Sequence, residues 1–142
     1  MEFVRIICAL SAGVLNTLGI TLSAMAVGLA GGTALVLAHQ LAGPRGRRAL
    51  RGGTYVVQSV PALVLIFMAM FGLPRIGLRL PPFPTVVACL GLVAAAYIGE
   101  VLRGALESID AAQREAALAL GMSPRRVFWS VLMPQMWRLA VP

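Results

Sequence analysis

The sequence contains no lysine, and charged residues make up only 12% of its 142 positions. A soluble domain usually has about a quarter charged residues and about 45–50% apolar residues, whereas 59% of this chain is hydrophobic and its mean hydropathy is +0.88. Without lysine the chain cannot form a phosphate-binding loop of the G-x-x-x-x-G-K-[ST] type, so any ATP hydrolysis must take place in a different subunit. The two cysteines, Cys8 and Cys89, lack the paired spacing of a disulfide framework or a metal site, and we interpret both as packing residues.

Two long stretches contain no charged residue: one lies between Arg5 and Arg45, and the other between Arg51 and Arg75. A membrane-spanning helix needs about 20 apolar residues, because the hydrocarbon core is about 30 Å thick and a helix rises about 1.5 Å per residue. Both stretches are long enough, so the sequence predicts an all-α integral membrane protein that lies in a lipid bilayer. The net charge of +7 does not indicate a nucleic-acid partner, since the arginines flank apolar runs instead of forming one solvated basic face.

The pattern predicts a bundle with three membrane spans, over about residues 15–39, 54–73 and 85–106. Two connections are predicted between them, a short basic loop at residues 43–53 and a turn-rich segment at residues 75–84. The first and third spans carry small residues at every fourth position, and such a stripe lets another helix pack closely. These residues are Ala24, Gly28 and Gly32 in the first span and Gly91, Ala95 and Gly99 in the third.

Five of the polar or helix-breaking residues inside the predicted spans are candidates for a structural or functional role, and they lie in the second and third spans. Pro61 removes a backbone donor and displaces the carbonyl four residues earlier, so we expect a kink in the second span that faces the interior of the bundle. Gln58 and Ser59 lie close to it, and they either satisfy the freed carbonyls or line a polar path through the bundle. Glu100 lies three residues before Arg103, close enough for an ion pair, which is either structural or part of such a path.

The arginines are distributed unevenly between the two sides of the predicted membrane. Three of them, Arg5 and the two in the 75–84 connection, fall on one side, and nine fall on the other, in the 43–53 connection and from Arg103 onward. Cytoplasmic segments carry the excess of positive charge. We therefore expect the N-terminus outside and residues 107–134 in the cytoplasm.

Residues 107–134 are predicted to form a helix-turn-helix. Asp110 suits the N-cap of a short helix over residues 111–120, and Gln113 stands where a capping box places an amide side chain. Gly121 fits the left-handed residue that ends a helix. A sharp turn is expected at this glycine.

The second helix of this pair is bounded by a cap and a proline. Ser123 suits its N-cap, and Pro124 suits its first position, where a missing N–H costs nothing. Apolar side chains between Val127 and Leu132 form one face of the helix, and Pro134 is expected to interrupt it.

The spacing of Glu115-Ala116-Ala117, Gly121 and Val131-Leu132-Met133-Pro134 resembles the EAA signature of permease subunits of bacterial ATP-binding-cassette (ABC) importers. Valine and methionine, at positions 131 and 133, replace the more usual isoleucine and leucine. In that family the loop carries a coupling helix, which sits in a groove of the ATPase subunit and transmits its closure to the membrane helices. The resemblance implies that the ATPase-coupling residues are Glu115, Ala116, Ala117, Leu120, Gly121, Ser123 and Pro124. The alternative is an amphipathic hairpin that lies on the membrane surface or against the protein's own spans.

Further segments are similar to polar amino-acid permeases, and the resemblance covers roughly residues 14–142. They are Ala96-Tyr97-Ile98-Gly99-Glu100-Val101-Leu102-Arg103-Gly104, Phe71-Gly72-Leu73-Pro74, and Pro134-Gln135 followed by Arg138. The segment Gln58-Ser59-Val60-Pro61 departs from the Arg-Gly-Thr-Pro-like segment that is usual there, and it is similar to permeases for quaternary-ammonium osmoprotectants. The candidates for a substrate path are accordingly Gln58, Ser59, Pro61, Glu100 and Arg103.

The resemblance implies a multi-pass subunit of the bacterial cytoplasmic (inner) membrane that takes up amino acids or similar small polar solutes. Its implied partners are ABC ATPase subunits that bind ATP, a second permease subunit in a homo- or heterodimer, and an extracytoplasmic solute-binding protein. No catalytic residue, cofactor or metal is expected in this chain. Family members continue with two more spans after the loop, so we expect residues 1–142 to be a single transmembrane domain that is incomplete at its C-terminus. The alternative from another class is a structural membrane subunit that transports nothing.

Overall fold

The computed structural model describes residues 2–141, apart from the side chains of residues 2–4, 8 and 9. The predicted packing role of Cys8 lies outside the described residues. All regular structure in the described range is helical, in agreement with the predicted all-α fold. In chain order the helices are α1 (Glu2–Leu41), α2 (Pro44–Ser59), α3 (Ala62–Phe67), α4 (Pro82–Glu107), α5 (Ala111–Ala119), α6 (Pro124–Val127) and α7 (Met133–Ala140). Two π-helical turns and one 3-10 turn join them, at Met68–Gly72, Phe128–Leu132 and Leu73–Ile76 respectively.

Helices α1 and α4 are both long and apolar enough to cross a membrane. Helix α4 begins at Pro82, which occupies the first turn, where its missing N–H would have no partner. At about 1.5 Å per residue each helix exceeds the roughly 30 Å of a hydrocarbon core. These two helices therefore correspond to the first and third predicted spans, with additional turns at their ends.

Helices α1 and α4 pack against each other through the two small-residue stripes. A Cβ atom on Gly28 would lie 2.6 Å from the Cβ atom of Ala94, and one on Gly32 would lie 2.9 Å from the backbone nitrogen of Gly99. Real Cβ atoms do not approach so closely, so glycine at these positions lets the two backbones come together. Because lipid provides no hydrophobic force between helices, this close van der Waals packing is what holds the pair. The predicted packing stripes are confirmed, and each stripe is the partner of the other.

The second apolar stretch forms two helical segments, whereas a single kinked span was predicted over residues 54–73. Helix α2 ends at Ser59, Val60 and Pro61 are extended, and the segment Ala62–Ile76 is bent away from α2 by 92°. A residue before proline is disfavoured in the helical region, and the proline itself lacks a donor. The helix therefore breaks at this point instead of bending. The pair remains able to cross a membrane as one broken span.

The predicted basic loop at residues 43–53 is wrong, because all but its first residue belong to α2. Pro44 occupies the first turn of this helix, a position that proline favours. Arginine is a good helix former, whereas glycine disfavours a helix by about 1 kcal/mol. Here the arginines and the apolar turns that follow outweigh the glycines.

Pro134 does not interrupt the last helix, contrary to the prediction. A π-helical turn at Phe128–Leu132 precedes α7, and the N–H of Met133 donates to the carbonyl of Phe128, five residues earlier. This wider turn leaves room for the proline ring, which in a regular helix would clash with the carbonyl four residues before it. The helical path therefore continues through Pro134.

Helix α7 folds back onto the last turns of α4 and closes the best-buried cluster of the fold. Leu102 of α4 and Met136 of α7 are each 1% exposed, and they pack with Val36 of α1 and Ala105. The cluster holds α1, α4 and α7 together. It lies at the end of the bundle where α1 ends, α2 begins and α4 ends. We call this the hairpin end of the bundle, because α5 and α6 leave the bundle there.

Candidate functional site

The hairpin consists of α5, a tight turn and α6, over residues 108–127. Asp110 caps α5, because its Oδ1 atom accepts a hydrogen bond of 3.0 Å from the N–H of Ala112. The predicted N-cap is thus confirmed. The predicted capping box does not form, since within residues 2–141 the side chain of Gln113 makes no hydrogen bond.

The turn between the two helices is a Schellman motif. The N–H of Gly121 donates to the carbonyl of Leu118 at 2.9 Å, and the N–H of Met122 donates to the carbonyl of Ala117 at 3.2 Å. These bonds satisfy carbonyls that the end of α5 would otherwise leave unpaired. Gly121 has φ +78°, a left-handed conformation that side chains with a Cβ atom rarely adopt. The predicted role of this glycine is confirmed.

Helix α6 begins as the sequence predicts. The Oγ atom of Ser123 accepts a long hydrogen bond, 3.4 Å, from the N–H of Arg126, and Pro124 occupies the first turn. Val127 at the end of α6 is 1% exposed. Helix α5 packs against α6 and the π-helical turn that follows it, so the two helices support each other.

Six of the seven predicted coupling residues are exposed at the outer face of the hairpin. The exception is Ala117, which is 5% exposed and belongs to the packed side of α5. Leu120, next to the turn, is 84% exposed. We call the exposed set the hairpin tip; it consists of Glu115, Ala116, Leu120, Gly121, Ser123 and Pro124. Ala117 therefore supports the hairpin from inside, and the other six are available to a partner.

Gln58, Ser59 and Pro61 come together at the break between α2 and α3. The Nε2 atom of Gln58 donates to the carbonyl of Ala96 in the middle of α4 at 3.1 Å. The Oγ atom of Ser59 donates to the carbonyl of Tyr55 at 2.8 Å, within its own helix. Gln58 therefore ties α2 to α4, whereas Ser59 is exposed at the break.

Glu100 and Arg103 lie apart from the break, at the hairpin end, in a network of ion pairs. Arg103 donates from Nε and Nη2 to the carboxylate of Glu100, with an Nε–Oε2 distance of 3.1 Å, and from Nη1 to Oε1 of Glu107 at 2.6 Å. Nη2 of Arg51 lies 3.7 Å from Oε1 of Glu107, and Nε of Arg51 donates to Nε2 of His39 at 3.3 Å. The predicted ion pair between Glu100 and Arg103 is present. The network also joins α1, α2 and α4.

Arg51 and His39 were not predicted as members of this network. Their contacts cross from one helix to another, and sequence spacing predicts only neighbours on the same helix. A prediction that residues 44–53 are helical, with Arg51 on the side that faces α4, would have suggested the contact between Arg51 and Glu107.

The architecture is that of a membrane-embedded transport subunit. It combines two closely packed helices, a broken second span and an exposed hairpin after α4. The chain belongs to the family of binding-protein-dependent transport system inner membrane components, whose family model matches residues 30–142. Members of this family are permease subunits of transporters and not catalytic enzymes. The family resemblance and the integral-membrane fold predicted from the sequence are therefore confirmed.

Two curated relatives show how far the similarity extends. A probable amino-acid ABC transporter permease of Sinorhizobium fredii is 36% identical over 86 residues, which cover 61% of this chain and 37% of that protein. The L-cystine transport system permease of Bacillus subtilis is 30% identical over 137 residues, covering 94% of this chain and 57% of that protein. The chain thus spans between about a third and about three fifths of the length of these relatives.

The fold is also similar to the crystal structure of an amino acid ABC transporter with histidines. The superposition has a TM-score of 0.86 at 26% sequence identity, and it covers 99% of this chain and 66% of that chain. The similarity of fold therefore extends over nearly the whole of this chain and about two thirds of that one.

Proposed function

We propose that this chain is the transmembrane permease subunit of an ATP-driven importer for amino acids or similar small polar solutes, and that its hairpin couples it to a separate ATPase subunit. The observation that carries the proposal is the hairpin tip. Six small, apolar or polar residues are exposed around a turn whose backbone geometry requires glycine. The spacing of these residues resembles the EAA signature, and small side chains around a rigid turn let a partner approach closely, so the tip supports docking on an ATPase subunit.

The transmission of movement starts at the base of the hairpin. Glu107 ends α4 and is followed at once by the hairpin, while α7 packs on Leu102 from the other side. A displacement of the hairpin by the closing ATPase therefore moves the inner end of α4 together with α1 and α7. The close packing of Gly28 against Ala94 carries the movement along α1 and α4, because tightly packed backbones do not slide independently.

A multi-pass arrangement in the inner membrane, with the N-terminus outside and the hairpin in the cytoplasm, is part of the proposal. The contact between Arg51 and Glu107 supports it, because it shows that the start of α2 and the end of α4 lie at the same end of the bundle. Nine of the twelve arginines lie either in the first turns of α2 or in the chain from Arg103 onward, and positive charge favours the cytoplasmic side.

The solute path is proposed to pass the break between α2 and α3. Ser59 and Pro61 are exposed or partly exposed there, next to the extended backbone of Val60. In membrane proteins, irregular backbone at the depth of the bilayer is tolerated only against protein or a water-filled cavity. We assign Gln58 a supporting role, through its bond to Ala96, and Glu100 and Arg103 the role of holding the hairpin end together.

Amino acids are favoured over quaternary amines as the solute, because the relatives named above are described as amino-acid or L-cystine permeases. A second permease subunit and an extracytoplasmic solute-binding protein complete the proposed assembly. Thermal-shift screening of the cognate binding protein with amino acids and with quaternary amines tests the solute. Stabilisation by quaternary amines alone would overturn the amino-acid assignment.

Coupling is tested by co-purification of the ATPase with the tagged permease, combined with solute uptake in proteoliposomes. The variants Leu120→Asp and Glu115→Lys change exposed side chains at the hairpin tip, so both should enter the membrane normally while ATPase association and uptake fall. Leu78→Asp is the matched control, because Leu78 is 51% exposed and lies before α4, at the opposite end from the hairpin. Normal uptake and normal association in both hairpin variants would overturn the proposal.

A further inference from the structure

The first turns of α2 carry a dense positive charge. Residues 44–59 include four arginines and no acidic residue. All four arginine side chains are exposed. Three of them, together with the proline that begins the helix, surround an open depression of about 260 Å³; its lining is Pro44, Arg47, Arg48 and Arg51.

Two of these arginines are fixed by their neighbours. Nε of Arg47 donates to the carbonyl of His39 at 3.1 Å, and Nε of Arg51 donates to Nε2 of the same residue at 3.3 Å. These bonds orient both guanidinium groups and use only one nitrogen of each. Within residues 2–141, Arg48 makes no hydrogen bond or ion pair, and Glu107 beside Arg51 is the one carboxylate that contacts the cluster. The depression is therefore left with an excess of positive charge and several unused N–H donors.

An anion with several oxygen atoms matches this arrangement. Guanidinium groups bind phosphate oxygens through paired, charge-assisted hydrogen bonds, which are stronger than bonds between neutral groups. Two oriented arginines beside a free one reduce the conformational entropy that binding would otherwise cost.

The position of the depression indicates which kind of phosphate compound has access to it. Arg51 contacts the last residue of α4, and Gln58, two turns further along α2, contacts Ala96 in the middle of α4. The arginines thus lie where the apolar bundle ends and α2 enters it. Tyr55 follows Arg51 by one turn on the same helix face and is 72% exposed. Exposed tyrosine at this level is typical of side chains that sit among lipid headgroups.

We propose that Arg47, Arg48 and Arg51 form a binding site for the phosphate of an anionic phospholipid at the edge of the bilayer, with Tyr55 against the adjoining headgroup and acyl-chain region. The site is distinct from the hairpin tip and does not depend on the solute or on the coupling mechanism. Each arginine near an anionic lipid surface should strengthen binding about fivefold, and the effect should weaken at high ionic strength.

The test uses the full chain in a neutral detergent, titrated with short-chain phosphatidylglycerol, with phosphatidylcholine of the same chain length and with inorganic phosphate, and read by native mass spectrometry. Phosphatidylglycerol should bind more tightly than phosphatidylcholine. Arg48→Gln should weaken phosphatidylglycerol binding about fivefold, and Arg47→Gln/Arg48→Gln about 30-fold. The matched control, Arg75→Gln/Arg79→Gln, removes the same charge before the other end of α4 and should leave the affinity unchanged.

Each alternative gives its own result. Equal affinity for the two lipids, or equal weakening in Arg48→Gln and the control pair, would overturn the proposal. Displacement of phosphatidylglycerol by inorganic phosphate at equal concentration would identify a site for a free anion and would also overturn it. The double variant also removes the bond from Arg47 to His39 and could unfold for that reason. In that case the affinity of Arg48→Gln for phosphatidylglycerol decides the test, because within the described residues Arg48 makes no bond that the fold needs. Loss of a co-purifying ATPase from Arg48→Gln, with lipid affinity unchanged, would assign this face to a protein partner instead.

Discussion

Nη2 of Arg51 in α2 lies 3.7 Å from Oε1 of Glu107, the last residue of α4. Both side chains are more than half exposed, at 57% and 56%, so the pair itself contributes only about 0–1 kcal/mol. Its significance is geometric. The contact places the start of the broken span beside the residue from which the hairpin departs, and Arg103 binds the same carboxylate from within α4.

Removal of Arg103 should destabilise the bundle more than removal of Arg51. Arg103 is 22% exposed in its side chain and bonds two carboxylates; its loss would leave Glu100 without a cationic partner and Glu107 with only the 3.7 Å contact to Arg51. Because hydrogen bonds to charged groups contribute about 1.5–3 kcal/mol, Arg103→Ala should lower the free energy of unfolding by about 2 kcal/mol. Arg51→Ala should lower it by less than about 1 kcal/mol. Denaturation in detergent measures both, with Arg79→Ala as the control, and equal losses at positions 51 and 103 would contradict the prediction.

Gly28→Ala should weaken the packing of α1 on α4. The added Cβ atom would lie 2.6 Å from the Cβ atom of Ala94, so the helices must separate, and overpacking of this kind costs about 1–3 kcal/mol. Gly13→Ala on the same helix is the control, because apart from its chain neighbours and the backbone of its own helix nothing lies within 4 Å of the added Cβ. Thermal unfolding in detergent should separate the two variants. A Gly28→Ala protein as stable as Gly13→Ala would show that the two stripes are not in close contact.

Gly121→Val should impair coupling while the spans remain intact. A side chain with a Cβ atom at φ +78° costs about 1–2 kcal/mol, and a branched one is the least tolerant. If the hairpin must keep its turn to dock, uptake should fall about 5- to 30-fold at an unchanged amount of membrane-inserted protein. Gly104→Ala, in α4 with open space around the added atom, should leave uptake normal. Uptake reduced equally in both variants would mean that the turn geometry is irrelevant.

The hairpin was the part of the fold that the sequence predicted best. Asp110, Gly121 and Ser123 act through bonds to backbone groups within a few residues, so local pattern was sufficient to place them. The small-residue stripes were recognisable for a similar reason, because small side chains at every fourth position are enough to define one face of a helix. That the two stripes contact each other could be seen only in the fold.

The errors arose where local rules compete. Pro44 was placed in a loop and Pro134 was expected to interrupt a helix, yet Pro44 begins a helix and Pro134 is accommodated by a π-helical turn. Pro61 was expected to kink a helix and instead separates two helices by 92°. Proline has all three outcomes available, and which one occurs depends on the packing of the segments on either side. The partner of Gln58 likewise lies 38 positions away along the chain, beyond the reach of local pattern.

Gln58→Met should separate the supporting role of this residue from a role in the solute path. The bond from Nε2 of Gln58 to the carbonyl of Ala96 joins α2 to α4 at 3.1 Å, and interhelical hydrogen bonds in membranes contribute about 0.6 kcal/mol. Methionine has a similar length and no donor, so the variant should lose about that much stability and keep its KM for the solute.

Ser59→Ala is the matched comparison for Gln58→Met. The hydroxyl of Ser59 bonds only within its own helix and the residue is exposed, so its loss should leave stability unchanged. If the solute passes the break, KM should rise in Ser59→Ala, because a polar group that faces the path is removed. Uptake kinetics in proteoliposomes, normalised to the amount of folded permease, distinguish the two variants. A raised KM in Gln58→Met with normal kinetics in Ser59→Ala would assign the solute contact to Gln58 instead of Ser59. The solute would then lie against α4, because Gln58 would have to exchange its bond to Ala96 for one to the solute.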